Sequence, residues 1–238
     1  AMSKGNAGGD LRRFYIVFGI VAAVGIAAVG YTMASGAMNA AATMPVDLEG
    51  TDDLRRLTEL AVPITVGEEG APVTIIVFGD YLCTHCAEFS IRHRPLVEQA
   101  YVTTGQARLL FYDFPLNPEQ GTFLAARAAR CAGDQGQYWP YHDTLYRNQR
   151  NFAMAPNQLG WLEDIGVQLG LDAQEFRGCL NSDRHAAAVT ANLELARALG
   201  LPGTPAVMVG SGQGMSRRLG SYAYEAIRDA VESILAGS

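Results

Sequence analysis

The chain has no lysine- or arginine-rich run, and its 238 residues carry a formal charge of -6. Proteins hold phosphate backbones with clustered cations, so a nucleic-acid partner is excluded on charge. Cysteine is scarce, at four residues, and the Cys-x-x-Cys spacing occurs once, at Cys83-Thr84-His85-Cys86. A zinc module built from two such pairs therefore does not fit. Gly210-Ser-Gly-Gln-Gly214 lacks the Lys and the following helix of a phosphate-binding loop, and it reads as a hairpin turn. Charged residues make up 18% and hydrophobic ones 49%, which excludes a disordered chain and gives one sizeable domain with appendages.

Charge is missing altogether from Phe14 to Ala34, a run of 21 residues. Lys4, Arg12 and Arg13 precede it, and Asp47, Glu49, Asp52 and Asp53 follow at a distance. That asymmetry predicts a cytoplasmic N-terminus at 1–13, a transmembrane anchor or signal segment at 14–34, and a translocated remainder. The run exceeds the roughly 7 to 15 apolar residues of a cleavable signal core, which favours a retained membrane anchor. Small residues at Ser35 and Ala37, or at Ala40 and Ala42, would also suit a signal peptidase. Cysteines in a translocated domain fit an oxidising compartment, where disulfides persist.

From Val73 to Phe78 an apolar, β-branched run predicts a buried strand that stops at Gly79-Asp80. The two cysteines then open a helix expected to run to about Tyr101. Residues i and i+3 share a helix face, so Cys83 and Cys86 can switch between dithiol and disulfide. Cys83 falls at the helix N-terminus, where unpaired N–H groups and the dipole favour a thiolate. His85 can add a positive charge or a hydrogen bond, and the Thr84 hydroxyl another. A stabilised thiolate makes the disulfide a better oxidant. Cys83, His85 and Cys86 are also possible ligands of a membrane-tethered metal-binding module, so that alternative stays open beside the redox reading.

Along the chain, 35–66 reads as a linker carrying a short helix whose leucines recur at 54, 57 and 60. Pro95 is expected to kink or break the helix after the cysteines. Phe89, Leu96, Val97 and Ala100 are expected in the core, with His93 and Arg94 solvated. A second strand, Ala107 to Phe114, makes a βαβ unit with a parallel pair. Residues 118–200 are mostly helical in pattern, over 122–132, 139–149, 158–169, 173–180 and 183–199. Tyr138-Trp-Pro-Tyr-His142 is expected to pack in the core and His185 to be exposed. Strands at 206–209 and 217–220 and a helix at 222–235 close the chain.

Phe78-Gly-Asp-Tyr-Leu-Cys-Thr-His-Cys86 resembles the active-site segment of the DsbA family of thioredoxin-fold thiol:disulfide oxidoreductases. Phe111-Tyr-Asp-Phe-Pro-Leu116, Ala128-Ala-Arg-Cys-Ala-Gly-Asp-Gln-Gly136 and Gly203-Thr-Pro205 resemble the same family, and the likeness covers about residues 60 to 236. The resemblance implies an α/β thioredoxin domain from 67–117 and 201–238, interrupted by a helical insertion at 118–200. It implies that Pro205 is a cis-proline facing the cysteines, with Thr204 before it touching Cys83 or the substrate. It also suggests that Cys131 and Cys179 pair in a second, non-catalytic disulfide, against the alternative of two buried thiols.

The function so implied is exchange of the Cys83–Cys86 disulfide with reduced exported proteins, Cys83 acting as nucleophile and Cys86 as resolving thiol, with neither cofactor nor metal. A reductase or isomerase running the same chemistry in another direction is the alternative. An integral-membrane, quinone-linked oxidase of DsbB or VKOR type is the implied redox partner. Two departures bear on the potential. The family often has Pro after the first cysteine, where Thr84 stands here, and the position six residues before the nucleophile, often a buried acid, is Val77. Asp80 is read chiefly as a turn former.

Overall fold

The computed structural model describes residues 42–212 and 216–237. The expected membrane segment at 14–34 lies outside them; among the described residues no helix is long and apolar enough to cross a membrane. Helix α1 (Leu54–Leu60) forms where its leucine spacing predicts, with the Asp53 side chain accepting from the N–H groups of Arg55 and Arg56. The stretch after it is more than linker. Ile64–Val66 forms strand β1, antiparallel to β3 (Ala107–Asp113), with Ile64 opposite Phe111. Three residues are too few to show a period, and the register comes from the partner strand.

Strand β2 (Val73–Gly79) lies at the centre of a five-stranded sheet of order β1-β3-β2-β4-β5, where β4 is Ala206–Ser211 and β5 is Arg217–Arg218. The β2–β3 pair is parallel, as the βαβ order requires, and the other pairs are antiparallel. Val73, Ile75 and Val77 enter one core, while Phe78 and the half-buried Ile76 meet Leu57, Leu193 and Ala196 on the other face. Burial on both faces is why β2 shows so little alternation.

The helix after Cys83 is neither broken nor plain. It runs from α2 (Thr84–Glu88) through a π-helical turn (Phe89–His93) into α3 (Arg94–Val97) and a second π turn (Glu98–Val102). The Arg94 N–H bonds the Phe89 carbonyl, five residues back, so Pro95 falls in the first turn of α3, where its missing donor matters least. The extra residue shifts the buried face by one position. Arg94, expected in solvent, is buried and paired with Glu98 and Asp143 at 2.6 Å each, its guanidinium 4.7 Å from the centre of the Trp139 ring. Leu96, expected in the core, is 46% exposed. His93 is half-buried and its Nδ1 accepts the Tyr224 N–H at 3.2 Å.

The helical insertion follows a 3-10 turn (Pro118–Gln120) and comprises α4 (Thr122–Gly133), α5 (Tyr138–Arg147), α6 (Gln149–Ala153), α7 (Gln158–Gln168), α8 (Ala173–Leu180) and α9 (Ala186–Ala198). The helix expected over 139–149 ends at Asn148, and a short one begins beyond it. Helix α4 is buried along nearly its whole length, which its five alanines between 125 and 132 permit by letting neighbours approach closely. A Cys131–Cys179 disulfide joins α4 to α8, with Cα atoms 5.8 Å apart. Arg130 pairs with Asp113 at 2.6 Å and donates to the Val62 carbonyl, which ties the insertion to the end of β3. His185, expected exposed, is half-buried with Nε2 3.0 Å from the Asp134 carboxylate, because the disulfide brings the end of α8 against the end of α4. Helix α10 (Tyr224–Ala236) closes the fold against β4 and α3.

Candidate active site

The site begins where β2 ends. A Cβ at Gly79 would lie 2.7 Å from the Phe111 ring, so the smallest side chain is required where the strand turns out of the sheet. Asp80 then builds the loop. Its Oδ1 accepts the Leu82 N–H at 2.6 Å, its Oδ2 accepts the Leu116 N–H at 2.7 Å, and its carbonyl accepts the Cys83 N–H at 3.1 Å. The expected turn-forming role is therefore met, but by a carboxyl group that is only 3% exposed. Burial pushes that carboxyl up to about 6; the N–H groups of Leu82 and Leu116 oppose the shift, and negative charge on Cys83 adds to it.

Cys83 is the N-cap of α2, and its Sγ accepts the Cys86 N–H at 3.3 Å. Its thiol is brought down to about 5, first by the hydrogen bond with the Cys86 thiol; burial opposes, while the Thr204 side chain and the N–H groups of Cys86 and His85 assist. Cys86, 1% exposed, is pushed the other way by burial and then by Cys83. Two thiols three residues apart thus hold opposite protonation states at neutral pH: an accessible thiolate and a buried thiol.

Thr204 and Pro205 come from the far half of the fold, and the peptide bond between them is cis, as the resemblance implies. The Thr204 carbonyl accepts from Cys83 Sγ at 3.2 Å, and the Thr204 hydroxyl, buried and without a partner while that sulfur is a thiol, is the Thr204 group that favours its ionised form. Thr84 and His85 are exposed, and among the described residues the Thr84 hydroxyl makes no bond to Cys83. The His85 ring stacks on Tyr222, with centroids 5.7 Å apart at 28°, so its backbone N–H rather than its imidazole meets Cys83. The geometry gathers two thiols and a cis-proline loop, with the His85 imidazole lying on the Tyr222 ring.

Three further residues shape the site and carry no local signal. Gln149, at the start of α6, donates from Nε2 to the carbonyls of Tyr81 at 2.7 Å and Cys83 at 2.9 Å, holding the loop from the insertion side. Tyr222 carries the His85 ring and donates to Glu88 at 2.9 Å. Tyr146 is buried beside Tyr81, ring centres 4.9 Å apart, and burial holds its phenol neutral. The aromatic stretch 138–142 packs beneath these residues as expected, with His142 fully buried and its pKa pushed down to about 4 by desolvation.

Comparison with known proteins agrees with this geometry. Residues 60–231 match the family model described as thioredoxin. The crystal structure of Wolbachia pipientis alpha-DsbA1 superposes with a TM-score of 0.65 at 20% identity, covering 76% of this chain and 96% of that one. A Bacillus cereus protein named "Probable disulfide bond formation protein D" is 26% identical over 153 residues, 61% of this chain and 68% of its own. A Salinispora arenicola protein named Na(+)/H(+) antiporter NhaA 1 is 32% identical over 173 residues, which span 72% of this chain and 24% of that protein. The chain likewise spans only 61% of the length of a Rickettsia prowazekii relative. A family match over most of the chain, a sheet interrupted by a helical insertion, and a Cys-x-x-Cys facing a cis-proline lead to one conclusion: this chain belongs to the thioredoxin family and has the fold of the DsbA proteins.

Proposed function

We propose that the protein is a thiol:disulfide oxidoreductase that introduces disulfides into exported proteins. The observation that carries this reading is the asymmetry of the pair: a partly exposed Cys83 held near a pKa of about 5 beside a buried Cys86 held high. A client thiolate attacks Cys83 Sγ of the oxidised pair; the Cys83–Cys86 bond breaks and Cys86 leaves, taking up a proton in its apolar surroundings. The client's second thiolate then attacks its own sulfur in the mixed disulfide, and Cys83 departs as the stabilised thiolate. The client loses two electrons, and the cysteine pair gains them.

Thr204 and Pro205 border Cys83 and supply the backbone edge along which an extended client lies. Clients of this kind place the enzyme outside the cytoplasm, anchored through the apolar run at 14–34, with an integral-membrane quinone-linked oxidase as the electron acceptor. The chemistry needs no cofactor beyond the two sulfurs.

The test is covalent trapping. With Cys86→Ala whose Cys83 has first been converted to a mixed disulfide with an aromatic thiol, reduced single-cysteine clients should displace the aromatic thiolate and accumulate as Cys83 mixed disulfides on non-reducing gels, and Cys83→Ser should abolish both trapping and turnover. Undiminished oxidation by Cys83→Ser would refute the assignment. A reduction potential more positive than about -200 mV against glutathione separates a disulfide donor from a reductase, which sits near about -270 mV.

A further inference from the structure

A cleft of about 260 Å³ opens beside the cis-proline, lined by Pro202, Gly203, Thr204, Pro205, Arg218 and Tyr222 among others. It adjoins the reactive sulfur, since its lining residue Thr204 touches Cys83 Sγ at 3.2 Å. One wall is formed by Arg218, which stands opposite Met208 on the edge strand β5, and by the residues that follow it to Tyr222. Both residues of β5 are arginines, both are exposed, and among the described residues neither has an ion-pair partner.

The acid near this cleft is already engaged. Glu88 accepts the Tyr222 hydroxyl at 2.9 Å on one carboxylate oxygen and lies 3.9 Å from Arg92 on the other. Exposed positive charge is therefore left on the cleft wall of a chain whose overall charge is -6. A net charge of -6 disfavours acidic polypeptides over the chain as a whole, and Arg218 is a local charge of the opposite sign on the cleft wall.

We propose that Arg218 selects clients by charge: the preferred segment is an extended stretch with Asp or Glu close to its reactive cysteine, seated along Thr204–Pro205 with the acid toward Arg218. This rests on the disulfide-exchange reading of the site and adds the chemical class of the client. Arginines on an edge strand can also serve only to prevent sheet-to-sheet pairing, and the experiment separates the two roles.

Oxidised full-length protein is mixed with reduced dithiol peptides that differ only in the residues flanking one cysteine: Glu, Gln or Lys. Single-turnover oxidation is quenched by alkylation and the second-order rate constants are compared. At low ionic strength the Glu peptide should react about two- to fivefold faster than the Gln peptide, the size expected of one exposed ion pair, and the Lys peptide slower. The order should reverse in Arg218→Glu, level out in Arg218→Gln, and collapse near roughly 1 M salt, where charges more than about 3 Å apart are screened. Equal rates for Glu and Lys peptides, or a preference unchanged in Arg218→Glu, would overturn the proposal even if Arg218→Gln promotes aggregation. Failure to oxidise any of the three peptides would instead overturn the exchange reading beneath it.

Discussion

Cys83 Sγ lies 3.2 Å from the carbonyl oxygen of Thr204, a residue 121 positions further along the chain. A carbonyl only accepts, so this contact favours the thiol and turns repulsive once the sulfur ionises. The thiolate must then be held by donors: the Cys86 thiol and N–H, the His85 N–H and the Thr204 side chain. The Thr204 hydroxyl, buried and unpartnered while Cys83 is a thiol, is placed to be one of them.

Replacing Thr204 by Val keeps the carbonyl and nearly the same volume but removes that donor. The Cys83 pKa should rise from about 5, by about one unit, and the potential should become more reducing by roughly 30 mV. Thiolate absorbance followed through acid titration is the direct measurement. An unchanged titration would mean that the hydroxyl plays no part in holding the thiolate.

Asp80 makes a different prediction, because its carboxyl titrates near 6 and feels the charge on Cys83. Above that pH the reduced enzyme holds two like charges close together, and the disulfide form holds one. Asp80→Asn should therefore stabilise the reduced form and make the potential more positive at pH 7 to 8. Below about pH 5, where Asp80 is protonated, the two proteins should converge. Potentials measured across that range decide it. A constant offset at every pH would indicate a rebuilt loop, since Asn has only one acceptor for the N–H groups of Leu82 and Leu116.

The sequence shows β2, the cysteine pair and the helices of the insertion because each is written locally, in a β-branched run, a three-residue spacing or a helical period. The cis-proline and the second disulfide were legible only through resemblance, since nothing near Thr204 or Cys131 specifies a partner. Strand β1 was not legible, because three residues show no period. Arg94 and Leu96 exchanged their expected surroundings because the π turn at Phe89–His93 resets the helical phase ahead of them, which a fixed period of 3.6 cannot anticipate. Gln149 and Tyr222 reach the site only through tertiary contacts with Cys83 and His85, and no spacing near either announces them.

The depressed Cys83 pKa also carries a stability signature. A thiol at about 5 in the fold against an ordinary 9.0 stabilises the reduced protein above the ordinary value, and that stabilisation is lost as pH falls through about 5. Between pH 7 and pH 4 the reduced form should lose on the order of 2 kcal/mol relative to the oxidised form, after allowing for the partial exposure of the sulfur. His142 shifts in the same sense, down to about 4, but is present in both redox forms. The difference between their urea midpoints, taken across the pH range, reports Cys83 together with the Asp80 carboxyl that feels its charge, and the same comparison in Asp80→Asn leaves Cys83 alone. A difference independent of pH would contradict the assignment of the thiolate.

The second disulfide should serve stability and not exchange. Cys131 and Cys179 are 48 residues apart in sequence, and both are 1% exposed between α4 and α8. Closing a loop of that size is worth about 4 kcal/mol in the chain-entropy model. None of the groups that hydrogen-bond Cys83 belongs to α4 or α8. Cys131→Ser with Cys179→Ser should therefore lower unfolding free energy by up to about 4 kcal/mol while leaving the Cys83–Cys86 potential unchanged. Denaturant unfolding and glutathione equilibration of the double variant measure the two quantities separately. A shifted potential would show that the insertion transmits its redox state to the active site; a loss well under about 1 kcal/mol would show that packing among the alanines of α4 already holds the two helices together.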